Sequence, residues 1–260
     1  MPRFSANLGF LWAELPLPDA VRAAHEAGFN AVECHWPYDH DPAAVRAALE
    51  ETGLVMLGLN TRRGQAGENG LAALPDRKAE ARAEIDRAIT YAREIGCRSV
   101  HVMAGITDSA GAGAVFRDNL AYACDQAEGL KLLIEPLNRY DAPGYFLHSA
   151  WQAADIIAAV GRDNLALMFD CYHLQIQHGD LTRLLAEMAP LTGHIQFASV
   201  PDRGPPDQGE LCYDHIFAAI DASGWTRPLG AEYRPRGKTA DSLGWMDRWR
   251  APDAHPAGQP

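Results

Sequence analysis

Short apolar runs rich in β-formers alternate along the chain with longer stretches whose apolar residues recur at helical spacing. A glycine stands ahead of seven of the runs. Gly28 precedes 31–33, Gly53 precedes 54–59, and Gly96 precedes 99–103; Gly129 precedes 131–135, Gly161 precedes 165–170, Gly193 precedes 194–197, and Gly224 precedes 229–232. Glycine just past a helix end accepts the left-handed conformation that turns the chain back. With 4–8 at the start, the pattern predicts eight strands. Between them, Ile85, Ala88, Ile89, Ala92 and Ile95 make a helical stripe over 78–95. Ser149 is expected to cap a helix carrying Ala153, Ile156, Ile157 and Val160, and Asp180 one carrying Leu181, Leu184, Leu185 and Met188.

Eight alternating units in one chain favour a closed (β/α)8 barrel, class α/β, over an open doubly wound sheet. No G-x-G-x-x-G follows any run, which weakens a dinucleotide-binding reading. The two long connections, 60–77 and 200–213, both follow strands, the side on which barrel enzymes build their sites. The barrel is expected over 1–250, with a loose, proline-rich tail over 251–260.

Composition fits one barrel of 260 residues, 47% of them hydrophobic. A formal charge of −11 argues against a nucleic-acid partner, and Arg62-Arg63 is the adjacent basic pair near a pocket loop. The five cysteines (Cys34, Cys97, Cys124, Cys171, Cys212) form no C-x-x-C pair, which points to a reduced, cytoplasmic protein. No signal pattern and no membrane-length apolar run are present, so no membrane association is expected. The partner expected is a small-molecule substrate; the sequence leaves room for a homo-oligomer.

The later runs end in a pattern that carries chemistry. Leu132-Leu133-Ile134 leads to Glu135, Leu167-Met168-Phe169 to Asp170, His194-Ile195 to Gln196, and Gly230-Ala231 to Glu232. The spacings are 35, 26 and 36 residues (170−135, 196−170, 232−196), each near one strand–helix unit. One polar residue closing a strand is ordinary. Four in succession at unit spacing place oxygen side chains at one height over the barrel mouth. Three carboxylates together repel one another unless a cation lies between them. Oxygen ligands favour one hard divalent ion, Mg²⁺ or Mn²⁺, over zinc.

With these residues in view, the sequence resembles the hydroxypyruvate isomerase family of the xylose isomerase-like barrels. The resemblance runs from about Phe4 to Trp249. It includes Gly67-Glu68-Asn69-Gly70-Leu71-Ala72-Ala73-Leu74-Pro75, His101-Val102-Met103-Ala104-Gly105, Ile134-Glu135-Pro136-Leu137-Asn138, Pro143-Gly144-Tyr145-Phe146-Leu147, Asp170-Cys171-Tyr172-His173-Leu174-Gln175 and Gly230-Ala231-Glu232-Tyr233-Arg234-Pro235. It implies that Glu135, Asp170, Gln196 and Glu232 hold the metal and that Glu135 and Glu232 move the proton through an enediolate. It also tips His173 from a packing histidine to a substrate contact. Thr61-Arg62-Arg63-Gly64-Gln65 and Gly204-Pro205-Pro206 depart from the family pattern, and 121–130 is short, which leaves the pocket shape open.

Further candidates sit around these positions. Arg203, in the loop after strand seven, offers the cation that an α-keto acid needs. Glu210 is retained from the family pattern, and His101 closes strand four, facing the pocket or packed in the core. Glu33 is read as an acceptor inside the barrel, and Trp12, Trp36 and Trp245 as candidate pocket walls. The expected reaction converts hydroxypyruvate to tartronate semialdehyde, or isomerises a 2-oxo-tetronate. The alternatives are a keto-sugar epimerase or sugar isomerase with the same ligands, a DNA-repair endonuclease, and a metal-binding barrel without catalysis.

Overall fold

The computed structural model describes residues 2–249; the tail expected over 251–260 lies outside them. Eight strands follow one another: β1 (Phe4–Asn7), β2 (Ala31–Glu33), β3 (Leu59–Asn60), β4 (Ser99–His101), β5 (Lys131–Ile134), β6 (Leu165–Asp170), β7 (Thr192–Phe197) and β8 (Leu229–Ala231). All named pairings are parallel, in the order β2-β1-β8-β7-β6-β5-β4-β3. Helices form the outer layer: α1 (Leu17–Glu26), α2 (Pro42–Thr52), α3 (Lys78–Ile95), α4 (Ala112–Gln126), α5 (Ala150–Val160), α6 (Cys171–Gln177), α7 (Leu181–Met188), α8 (Tyr213–Ala222) and α9 (Met246–Trp249). This is the (β/α)8 barrel that the alternation predicts. Among the described residues no helix is long and apolar enough to cross a membrane.

The third strand departs from expectation. Residues 54–58 are not a regular strand; they close the barrel through scattered bonds to β2 and its exit. Val32 N–H donates to Val55 (3.0 Å), Leu57 N–H to Val32 (2.7 Å) and Cys34 N–H to Gly58 (3.0 Å). The expected caps also differ. Ser149 and Asp180 occupy the N-cap positions of α5 and α7 without a side-chain cap bond. The Ala150 N–H is taken by His178 Nε2 (3.2 Å), and Asp180 pairs with Arg183 (2.8 Å).

Strand side chains alternate between two environments, as the two-residue period requires. Leu132, Ile134, Leu167, Phe169, Ile195 and Phe197 join the apolar layer under the helices. Burial of each such side chain contributes about 1.5–3 kcal/mol. Leu133, Ala166 and Met168 form a separate small cluster. Because Glu135 follows Leu133 by two and Asp170 follows Met168 by two, both carboxylates share that cluster's direction, into the barrel.

Register then decides whether the strand ends meet. Ile134 pairs with Leu167, so Glu135 is level with Met168, two residues below Asp170; Asp170 pairs with Gln196; Gln196 pairs with Gly230, two residues below Glu232. The stagger is four residues over three steps. A barrel of eight strands with shear eight accumulates about three over the same arc. The tilt of the strands therefore brings the four positions to within about one residue of a common height. Gly230 makes the approach possible: a Cβ there would stand 2.6 Å from Glu33 Oε1 and 2.8 Å from Gln196 Cγ.

Candidate active site

At the C-terminal mouth lies a cavity of about 350 Å³, walled by Phe10, His35, Trp36, Met103 and Leu137 and carrying Glu135, Glu232, His101, His173, Arg203 and Arg234. Beneath it a buried polar layer orients the floor. Glu33 Oε1 accepts from Asn7 Nδ2 (3.1 Å) and Gln196 Nε2 (2.7 Å), while Glu33 Oε2 lies 2.6 Å from His194 Nε2. Glu33 is thus an acceptor inside the barrel, as read from the sequence. Its bond to the Gln196 amide nitrogen fixes which way that amide points, and Gln196 Oε1 is left without a donor.

Glu135 Oε1 and Asp170 Oδ2 share that condition: buried, with no hydrogen-bond partner. Asp170 Oδ1 accepts from the Tyr172 N–H at the start of α6 (2.8 Å), which leaves Oδ2 facing inward. One ligand atom each from Glu135, Asp170 and His173 lies within 4.8 Å of the others. Burial, and then the charges of Glu232 and Asp170, push the Glu135 carboxyl well above its ordinary range. Burial and the Glu232 charge push Asp170 up to about 8, against the pull of Arg203. Buried acceptors that lack donors, two of them on the clustered Glu135 and Asp170, are a donor set suited to a hard divalent cation.

Glu232 has different company. Its Oε1 accepts from Asn7 Nδ2 (2.9 Å) and meets His35 Nε2 (2.9 Å); its Oε2 is 2.6 Å from Arg203. Burial alone would raise this carboxyl, but the Arg203 charge and His35 outweigh it and hold the group below its ordinary value. Arg203 is buried in a left-handed conformation (φ 52°), and Asp141 (3.4 Å) and Asp170 (3.7 Å) also flank it.

His173 is set by its neighbours. Its Nδ1 accepts from the Asn138 backbone N–H (3.0 Å), a group that can only donate. Burial and then Arg203 depress its pKa well below the usual value, so the ring is neutral and its proton sits on Nε2. That Nε2–H, 3.7 Å from Asp170 Oδ2 and 3.9 Å from Glu135 Oε1, is a donor and has no lone pair for a metal. His101 is buried, its pKa lowered to about 4 by desolvation, with Nδ1 3.6 Å from Glu135 Oε2.

The other sequence candidates scatter. Glu210 is exposed, accepts from Gln175 Nε2 (3.3 Å) and is absent from the cavity wall. Trp36 lines the cavity, whereas Trp12 stacks edge-on against Phe29 and Trp245 packs against Phe4 and Phe197 in the core. Arg62 pairs with Asp39 (3.2 Å) away from the cavity, and Arg63 reaches its rim. Asn7, His35, Asp141 and Arg234 were not singled out from the sequence. Applying the strand-end rule to β1 and β2 finds the first two, since Asn7 ends β1 and His35 stands two residues past β2.

The chain matches the model of the xylose isomerase-like TIM barrel family over residues 21–249. It is 44% identical to 2-oxo-tetronate isomerase of Cupriavidus necator, over 95% of this chain and 98% of that protein. It is 37% identical to hydroxypyruvate isomerase of Escherichia coli, over 96% of this chain and 100% of that protein. A crystal structure described as AP endonuclease, family 2, from Brucella melitensis superposes with a TM-score of 0.92 at 40% identity, covering 96% of this chain and 100% of that one. With a matching barrel, converging strand ends and relatives alike over their full lengths, the chain belongs to the xylose isomerase-like TIM barrel family, in the group that includes the 2-oxo-tetronate and hydroxypyruvate isomerases.

Proposed function

We propose that the protein is a metal-dependent isomerase of a short α-hydroxy keto acid, either hydroxypyruvate or a 2-oxo-tetronate. The observation that carries this reading is the trio of buried, donorless oxygens, Glu135 Oε1, Asp170 Oδ2 and Gln196 Oε1. Leaving buried polar groups unpaired costs about 1–3 kcal/mol each. Glu135, Asp170, Gln196 and Glu232 would hold one Mg²⁺ or Mn²⁺. When bound, the ion supplies Lewis-acid stabilisation of the charge that develops on the substrate's oxygens.

The chain's own residues supply the rest. Glu232, kept ionised and aimed by Asn7, His35 and Arg203, takes the proton from the hydroxyl-bearing carbon. Glu135, the second carboxylate of the pair, returns a proton to the former carbonyl carbon. The hydroxyl proton passes between the two oxygens, and the proton left on Glu232 returns to Glu135 through solvent, so both carboxylates regain their starting state. His173 Nε2–H donates to a substrate oxygen, and His101 stands beside Glu135. Phe10, Trp36, Met103 and Leu137 exclude water. Five free cysteines support a reducing, cytoplasmic setting.

The relatives named as isomerases support the reaction class. Against DNA repair stand the −11 charge and Gln196 at a position where a zinc site favours histidine. The test is an activity panel on metal-stripped protein, with Mg²⁺ or Mn²⁺ added back. Turnover of three- or four-carbon keto acids, restored by either ion, is expected. Preferential epimerisation of ketohexoses, or incision of abasic DNA, overturns the proposal.

A further inference from the structure

We propose that Arg234 anchors the substrate carboxylate and thereby selects keto acids over neutral keto-alcohols of the same length; this rests on the isomerase reading above. An α-keto acid carries a full negative charge into a cavity whose floor is already acidic, so it needs a cation that is not already neutralised. Three arginines line the cavity: Arg63, Arg203 and Arg234.

Arg203, the cation expected from the sequence, is committed. Glu232 (2.6 Å), Asp141 (3.4 Å) and Asp170 (3.7 Å) surround its guanidinium. Turning it to a ligand would break its ion pair with Glu232 and its contacts to Asp141 and Asp170. Arg63 is tied at the rim, with Nε donating to Asn69 Oδ1 (3.0 Å) and the guanidinium 4.8 Å over Trp36.

The Arg234 guanidinium has no hydrogen bond and no ion pair among the described residues. Its contact is the Phe10 ring, at 5.8 Å, and that ring carries Arg203 at 4.8 Å. The backbone beneath is pinned: Arg234 N–H donates to the Arg203 carbonyl (2.7 Å), and Pro235 follows. The side chain alone is therefore free to close on a ligand. It lines the same cavity as Glu135, His173 and Glu232. A planar fork two residues past Glu232 suits a carboxylate, which it can grip with two parallel bonds.

The test uses full-length protein with Mn²⁺ present and compares wild type, Arg234→Gln and Arg234→Lys. Hydroxypyruvate and dihydroxyacetone, in which a CH2OH group replaces the carboxylate, serve as substrates. Arg234→Gln should raise KM for hydroxypyruvate about tenfold or more, change kcat little and leave KM for dihydroxyacetone unchanged, with partial recovery in Arg234→Lys. Calorimetric binding of tartronate, against glycerol as the neutral control, reads the anchor without turnover; Arg234→Gln should weaken tartronate about tenfold. Equal loss for charged and neutral compounds, tartronate affinity within about twofold of wild type, or no tartronate binding by wild type overturns the proposal. If no keto acid turns over but tartronate binding still depends on Arg234, the isomerase reading fails and the anchor stands.

Discussion

At the N-terminal mouth of the barrel, a cavity of about 400 Å³ opens among Arg3, Arg98, Lys131, His194 and Arg227, over Val55 and Leu57. At the C-terminal mouth, the cavity of about 350 Å³ opens over Glu135 and Glu232. Size does not separate them; satisfaction of polar groups does. At the first mouth Arg3 donates to the Thr226 carbonyl, Lys131 to that of Asp163 (2.9 Å) and Arg227 to that of Thr192 (3.5 Å). Helices run opposite to the strands in this fold, so their carbonyl-rich ends gather there and cations complement them. At the second mouth buried acceptors are left without donors: the oxygens of Glu135, Asp170 and Gln196. An unmet need for a partner is what sets the proposed reactive end apart.

That contrast can be broken in graded ways. Glu232→Gln should lower kcat by about 10³-fold with circular dichroism unchanged, since it removes a proton-transferring group already held by three neighbours; near-normal turnover removes Glu232 from the chemistry. Chelation should abolish turnover and lower the thermal midpoint, with Mn²⁺ at about 100 times its Kd restoring about 2.7 kcal/mol. Glu33→Ala strips Asn7, Gln196 and His194 of their shared acceptor and should cost about 3 kcal/mol in urea unfolding, with weaker metal binding as the Gln196 amide comes loose. At the opposite mouth, Arg98→Ala should leave kcat/KM within about twofold and stability within about 0.5 kcal/mol. A large loss there would mean that the two mouths are not functionally distinct.

Most of the barrel is legible because glycines and apolar runs obey local rules. Residues 54–58 escape because their apolar pattern reads as a strand while the structure pairs them through isolated bonds at the β2–β3 seam. Glu135, Asp170, Gln196 and Glu232 are legible as strand ends at unit spacing, although the register that levels them is not. The roles of neighbours are the least legible. Nothing local says that Arg203 is spent on three carboxylates, that the Asn138 N–H fixes the His173 tautomer, or that Trp12 and Trp245 turn into the core. Those depend on which loops meet in space.

The donorless oxygens of the C-terminal mouth are proposed to hold one divalent cation. Anomalous diffraction from crystals grown with Mn²⁺ tests it most directly. One peak is predicted, with side-chain oxygens of Glu135, Asp170, Gln196 and Glu232 at about 2.1 Å. No peak at that mouth, or a peak bound through His173 Nε2 in place of Gln196, would contradict it.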